Sequence, residues 1–282
     1  MGTLTEATNL SPSADGFAVD LDPAWEGWGP AGGYLAALAL RAAEAVLPEG
    51  HRPVTLNAQF LSRAGSGKAE VSASILKPGG ASLVDVEFSQ AGRCFFRAQI
   101  WTTSRTVGPQ RLGVSMPSVP PPDALETLES HFARLGRPLV KFWSNLDCRP
   151  VEFGSPGSGP LQTDHLQRWY RFRDEQASAT AFDLAARAAV LIDSNIWAAH
   201  WRMLESEPDY AGPSLDLTLW FHDTASHTDW LLIDAVSPAA VDAIVHGTAS
   251  VWTADGRLVA TGGGNCLVVP LSSPSLPDSA RP

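Results

Sequence analysis

Cysteine is scarce in this chain and has no pattern. Cys94, Cys148 and Cys266 are spread over 282 positions, an odd number with no C-x-x-C pair, which excludes a disulfide framework and gives no cysteine-based metal or redox motif. They read as reduced and buried. Long apolar runs are missing too: no stretch approaches 18 consecutive apolar residues, so no membrane-spanning helix is predicted. The opening MGTLTEATNLSPSADG lacks a basic start and an apolar run, so no export signal is visible and the chain reads as cytoplasmic. Positive charge is in deficit, with 20 Lys and Arg against 30 Asp and Glu and a net charge of −10. That balance argues against a nucleic-acid surface and against attraction to anionic membranes, and an anionic ligand would need a local basic patch. GxSxG does not occur, which excludes a serine nucleophile elbow. His200, His222 and His227 do not fall into HExxH or another paired-ligand spacing, so no metal site is indicated. Gly65-Ser66-Gly67-Lys68 lacks the upstream glycine and the following Ser or Thr of a phosphate loop and reads as a turn.

What is present is a substantial apolar content, 44% of the residues, enough for two domains of ordinary size. Gly16 to Leu21 reads as a strand leading into an aromatic turn around Trp25 and Trp28. GPAGGYLAALALRAAEAV follows: Gly32 and Gly33 open a helix that is apolar on nearly every face, and Pro48 prevents its continuation. Such a start either points free N–H groups at a phosphate or a polarised carbonyl, or uses its glycines only for close packing. Four strand-like runs come next: Val54 to Leu61, the alternation around Ala69 to Ile75, the alternation around Val84 to Phe88, and Cys94 to Thr102. Their alternation predicts antiparallel sheet with one face buried.

SMPSVPPPD, in residues 104–123, admits neither helix nor central strand and reads as an ordered linker, with a PxxP ligand for another protein's groove as the alternative. The second half repeats the order of the first, with strands at Asn145 to Phe153 and His165 to Arg173, a helix from Ala181, then strands at Ser214 to His222, Trp230 to Val236, Ile244 to Trp252 and Leu258 to Val269. The predicted boundaries are 1–104, 105–143 for the linker, 144–271, and a tail at 272–282. Within the second helix, AFDLAARAAVLIDSN carries only Asp183 and Arg187 as charges before it ends by exposing Asp193. A carboxylate on so apolar an element is either a cap for nearby backbone N–H groups or a tuned acid or base. The ten tryptophans suit a hydrophobic core better than base or sugar stacking.

Met116-Pro117-Ser118 with Pro120, Pro122 and Asp123; Arg149-Pro150-Val151-Glu152-Phe153; Asp193; Trp220-Phe221-His222; Trp230-Leu231-Leu232; and Asp255-Gly256 before Leu258-Val259-Ala260 stand in an order and spacing that resembles the type II acyl-CoA thioesterase family. The resemblance implies an α+β double hotdog, two antiparallel sheets each wrapped around a long buried helix. It also implies a homodimer and hydrolysis of fatty acyl-CoA without metal, cofactor or covalent intermediate. In that family an aspartate, a threonine and a glutamine activate the attacking water. By position these fall at Asp193, at Ser214, which keeps the hydroxyl, and at Gly264, which has no side chain. Asn265 is the candidate substitute, provided that the glycine run forms a bulge that shifts its register. The N–H groups of Gly32 and Gly33 are candidates for polarising the thioester carbonyl, and Arg63, Lys68, Arg93, Arg97 and Arg105 for holding the CoA phosphates. A non-catalytic acyl-CoA binding protein and a hotdog enoyl-thioester hydratase or dehydratase are the rival readings.

Overall fold

The computed structural model describes residues 3–109, 111, 113–157, 159, 161–173, 180–223 and 229–271. His227 and the tail at 272–282 lie outside them. A one-turn helix α1 (Leu4–Ala7) and the strands β1 (Ser11–Ser13) and β2 (Gly16–Leu21) precede α2 (Gly32–Val46), after which β3 (Arg52–Phe60), β4 (Gly67–Lys77), β5 (Ala81–Gln90) and β6 (Arg93–Thr103) complete the first half. A short α3 (Leu128–Arg134) follows the proline cluster. The second half holds β7 (Leu146–Pro150), β8 (Leu166–Phe172), α4 (Ala181–Trp201), β9 (Tyr210–Ala211), β10 (Asp216–Phe221), β11 (Leu231–Val241), β12 (Ile244–Thr253), β13 (Leu258–Leu267) and β14 (Val269–Pro270).

The strands of the two halves are joined rather than separate. Twelve of them form one antiparallel sheet in the order β1-β2-β4-β5-β6-β3-β10-β13-β12-β11-β8-β7. The seam is β3 against β10, with Asp216 opposite Gln59 and Trp220 opposite Thr55. This differs from the expected pair of sheets. Left apart, β3 and β10 would each present an open edge of unpaired N–H and C=O groups, and pairing them satisfies both.

Both long helices lie on the buried face. α2 packs on β4, β5 and β6, α4 packs on β11, β12 and β13, and the helices touch each other. Ala36 to Leu40 and Ala185, Ala186 and Ala188 to Ile192 are all buried, so small alanines let the two backbones come close while the leucines and isoleucine fill the gap to the sheet. α4 runs to Trp201 and does not end near Asn195 as expected. Ile196 and Ala199 continue its buried stripe, so Asp193 is an interior helical residue and is buried, not exposed. Thr180 and Asp183 close a capping box at its start, and Asp183 also pairs with Arg41 of α2.

The proline segment covers the opposite face of the sheet. Met116, Val119 and Leu125 pack with Trp230 on a small cluster of Trp169, Leu232, Trp252 and Leu258. Trp169 Nε1 donates to the Pro120 carbonyl at 2.9 Å, and Arg149 Nη1 donates to the Leu125 carbonyl at 3.0 Å. A segment without backbone donors at its prolines is held here through its carbonyls and its apolar side chains.

A candidate active site at the meeting of the two helices

The two helices meet at Asp193, which is 8% exposed. Its Oδ2 accepts the backbone N–H of Gly33 at 2.7 Å, and its Oδ1 accepts Ser214 Oγ at 2.8 Å. Gly33 is in the first turn of α2, and Ala31, the residue before that helix, supplies no side-chain cap. The carboxylate of one helix therefore serves as the N-terminal partner of the other, where the helix dipole favours negative charge. Cap and candidate base, posed as alternatives by the sequence, coincide in one group.

Two glycines make this approach sterically possible. A Cβ at Gly32 would stand 2.7 Å from Asp193 Oδ1 and 2.7 Å from the Phe60 ring, and one at Gly33 would stand 2.6 Å from the Ala189 carbonyl oxygen. Burial pushes the Asp193 carboxyl above its ordinary range, opposed by the hydrogen bonds from Ser214 and Gly33. Such a group takes up a proton more readily than a solvated aspartate, as a general base at neutral pH requires. Ser214 is fixed from the sheet: it bridges Cys266, while Leu215 N–H donates to the Asn265 carbonyl at 2.8 Å and Leu267 N–H to the Pro213 carbonyl at 2.9 Å.

One wall of the site is aromatic. Trp197 stands one helical turn after Asp193 on the same side of α4, with its ring 5.4 Å from that of Trp28 and 5.9 Å from that of Tyr210. It lies over Gly212, where a Cβ would fall 2.0 Å from the ring. The i, i+4 spacing of Asp193 and Trp197 could have identified this neighbour from sequence. Nothing in the pattern pointed to Phe60 or to Cys266.

Of the expected site residues, Asp193 and Ser214 are brought together; the others divide. The N–H of Gly33 is taken up by Asp193, so it does not face a substrate carbonyl, and Gly32 keeps the first position of the helix. Asn265 is not brought to Asp193. β12 and β13 pair in unbroken register from Ile244 opposite Leu267 to Val251 opposite Ala260, so the glycine run forms no bulge. Asn265 consequently faces away from α4, giving both its N–H (2.7 Å) and its Nδ2 (3.1 Å) to Asp216 and meeting His246 Nδ1 at 3.1 Å. The glycines serve close strand contact instead: a Cβ at Gly264 would stand 2.3 Å from the Asp216 carbonyl oxygen.

The five expected basic residues do not form one patch. Arg97 is engaged by Asp85 at 2.8 Å and Glu87 at 3.0 Å. Arg93 opens β6 and Arg105 lies just past its end, so the eleven-residue strand holds them roughly 35 Å apart. Lys68 lies at the Arg93 end, where Gln90 Nε2 donates to the Lys68 carbonyl at 3.3 Å. Arg63 passes Gly29, just ahead of α2, where a Cβ would stand 3.9 Å from its Nε. Among the described residues no group of three or more His, Cys, Asp or Glu side chains is arranged to hold a metal ion, and no helix is long and apolar enough to cross a membrane.

Comparison with known proteins gives a consistent result along the chain. Residues 21–103 match the family model of the acyl-CoA thioesterase N-terminal domain, and residues 117–267 match that of the C-terminal domain. Among solved structures, the chain is similar to a hot dog fold protein of unknown function from Alicyclobacillus acidocaldarius (TM-score 0.80, 20% identity, 94% of this chain and 97% of that one). It is similar to an acyl-CoA thioesterase II, TesB2, from Mycobacterium marinum (TM-score 0.76, 20% identity, 95% and 99%). A TesB protein of Mycobacterium avium subspecies paratuberculosis is also similar (TM-score 0.70, 20% identity, 95% and 98%). At these identities the structures establish the hotdog fold. No curated protein matches the chain by sequence.

Proposed function

The chain belongs to the acyl-CoA thioesterase family, and from that premise we propose that it hydrolyses fatty acyl-CoA to the free acid and CoA with water activated at Asp193. The observation that carries the reading is the buried carboxylate held between the Gly33 N–H and the Ser214 hydroxyl. Asp193 takes a proton from water as the water oxygen attacks the thioester carbonyl carbon, Ser214 orients that water, and the C–S bond breaks. The proton then passes from Asp193 to the leaving sulfur, which departs as the CoA thiol. Gly32, at the first position of α2, is the candidate donor to the carbonyl oxygen, and Arg63 is the candidate contact for a CoA phosphate.

The test is release of free CoA from saturated acyl-CoAs of short to long chain, with a 2-enoyl-CoA in the same panel. Free thiol from the saturated thioesters supports hydrolysis. A hydroxyacyl thioester from the enoyl substrate without free CoA would make the protein a hydratase. Acyl-CoA bound but never turned over would make it a binding protein, the reading that Gly264 in the glutamine position favours.

A further inference from the structure

We propose that Cys266 is a positioning residue of this site, its thiol donating a hydrogen bond to Ser214 Oγ and so fixing the hydroxyl that Asp193 holds from the other side. The inference rests on the hydrolytic reading above and supplies the partner that reading lacks. Cys266 stands directly opposite Ser214 in an antiparallel bridge flanked by the Leu215–Asn265 and Leu267–Pro213 hydrogen bonds, the kind of pair whose side chains lie close together on one face of the sheet, and its thiol is near enough to Asp193 to feel its charge. On β13 it points the same way as Gly264, because residues two apart on a strand share a face. With no side chain at 264 and Asn265 turned to the other face, Cys266 is the polar group that the strand presents to the site. Ser214 has one proton, which goes to Asp193 Oδ1 at 2.8 Å, leaving its oxygen lone pairs to accept from a neighbour. The thiol can fill that role at neutral pH: burial, with the charge of Asp193 adding to it, pushes the Cys266 pKa up to about 12, so the S–H stays protonated and is a donor rather than a nucleophile. A serine that accepts one hydrogen bond while donating another is held in one rotamer and donates better.

The test uses the full chain and measures kcat and KM for CoA release, corrected for folded fraction. Cys266→Ala is expected to lower kcat about fivefold with KM unchanged, the scale of one modest hydrogen bond, and Cys266→Ser, which keeps a donor, is expected to restore most of it. In a double-mutant cycle, Cys266→Ala on top of Ser214→Ala is expected to cost nothing further. Should alanine prevent folding, Cys266→Val fills the space without a donor and carries the same expectation. A kcat within twofold of wild type for the alanine or valine variant, equal loss in the serine and alanine variants, or additive losses in the cycle would each overturn the proposal. CoA release that survives Asp193→Asn would instead remove Asp193 as the base on which the proposal depends, and no CoA release from the wild type would remove the hydrolytic reading itself.

Discussion

Replacing Asp193 with Asn should damage activity and strengthen the fold at once. The carboxylate is 8% exposed, and burying a charge costs several kcal/mol, of which hydrogen bonds to a charged group return roughly 1.5–3 kcal/mol each. Two such bonds, from Gly33 at 2.7 Å and Ser214 at 2.8 Å, oppose the cost; the raised carboxyl pKa shows that burial prevails. Asparagine keeps the Gly33 bond on its carbonyl oxygen, and the Ser214 hydroxyl can turn to accept from its NH₂ group. The net change is expected to be about 1–2 kcal/mol of stability at pH 8, a Tm rise of about 2–6 °C. The pH dependence follows from linkage. Between the ordinary carboxylate value and the raised one, the folded state binds a proton that the unfolded state does not, so stability falls as pH rises through that window. The Tm advantage of the variant should therefore be largest above the raised pKa and shrink as pH falls towards about 4. Loss of a general base lowers kcat by at least about a hundredfold, or ~2.7 kcal/mol. Calorimetry from pH 4 to 8 together with CoA release measures both. A lower Tm at pH 8, or turnover within tenfold of wild type, would refute the reasoning.

Three further perturbations separate the roles assigned above. Gly33→Ala drives a Cβ to 2.6 Å from the Ala189 carbonyl oxygen and should force the helices apart, destabilising by about 3 kcal/mol and lowering Tm by at least about 5 °C on thermal melts. Asn265→Ala, on the outer face, should leave kcat within about twofold while costing about 1–2 kcal/mol through its lost bonds to Asp216; a hundredfold loss in CoA release would return it to the site. Burial raises the Asp183 carboxyl, but Arg41 and the Thr180 cap outweigh it and hold the group below its ordinary value. That contribution is present above the usual carboxylate pKa and is lost as pH falls through the depressed one. Arg41→Gln should therefore lower Tm at pH 7 by a few degrees, with the difference from wild type closing only as the pH falls below the ordinary carboxylate range in an acid titration of stability.

The elements themselves were legible from residue pattern. Alternation in β4 and β5, the alanine and leucine content of α2 and α4, and the proline cluster each act through near neighbours, and near neighbours are what a linear sequence displays. The proline cluster reads as a linker from its composition, but its docking on Trp169 and Trp252 depends on an outer sheet face that exists only once distant strands are paired.

Asp193 stood out in the sequence as a carboxylate on an apolar helix, and Ser214 entered as its candidate partner only through its position in the family resemblance. The sequence did not carry the length of α4, because Ile196 and Ala199 are helical by virtue of the sheet they pack on. Nor did it carry the register of β13. Whether a glycine run bulges or stays straight is decided by the partner strands: here Asp216 and Gly247 lie so close that the strand stays straight, sending Asn265 outward and Cys266 inward. Single joins between parts far apart in the chain were decided by tertiary structure alone: β3 against β10, Gly33 against Asp193, Cys266 against Ser214. Each depends on where two separately folded elements come to rest, and that is set by packing of the whole core rather than by any local preference.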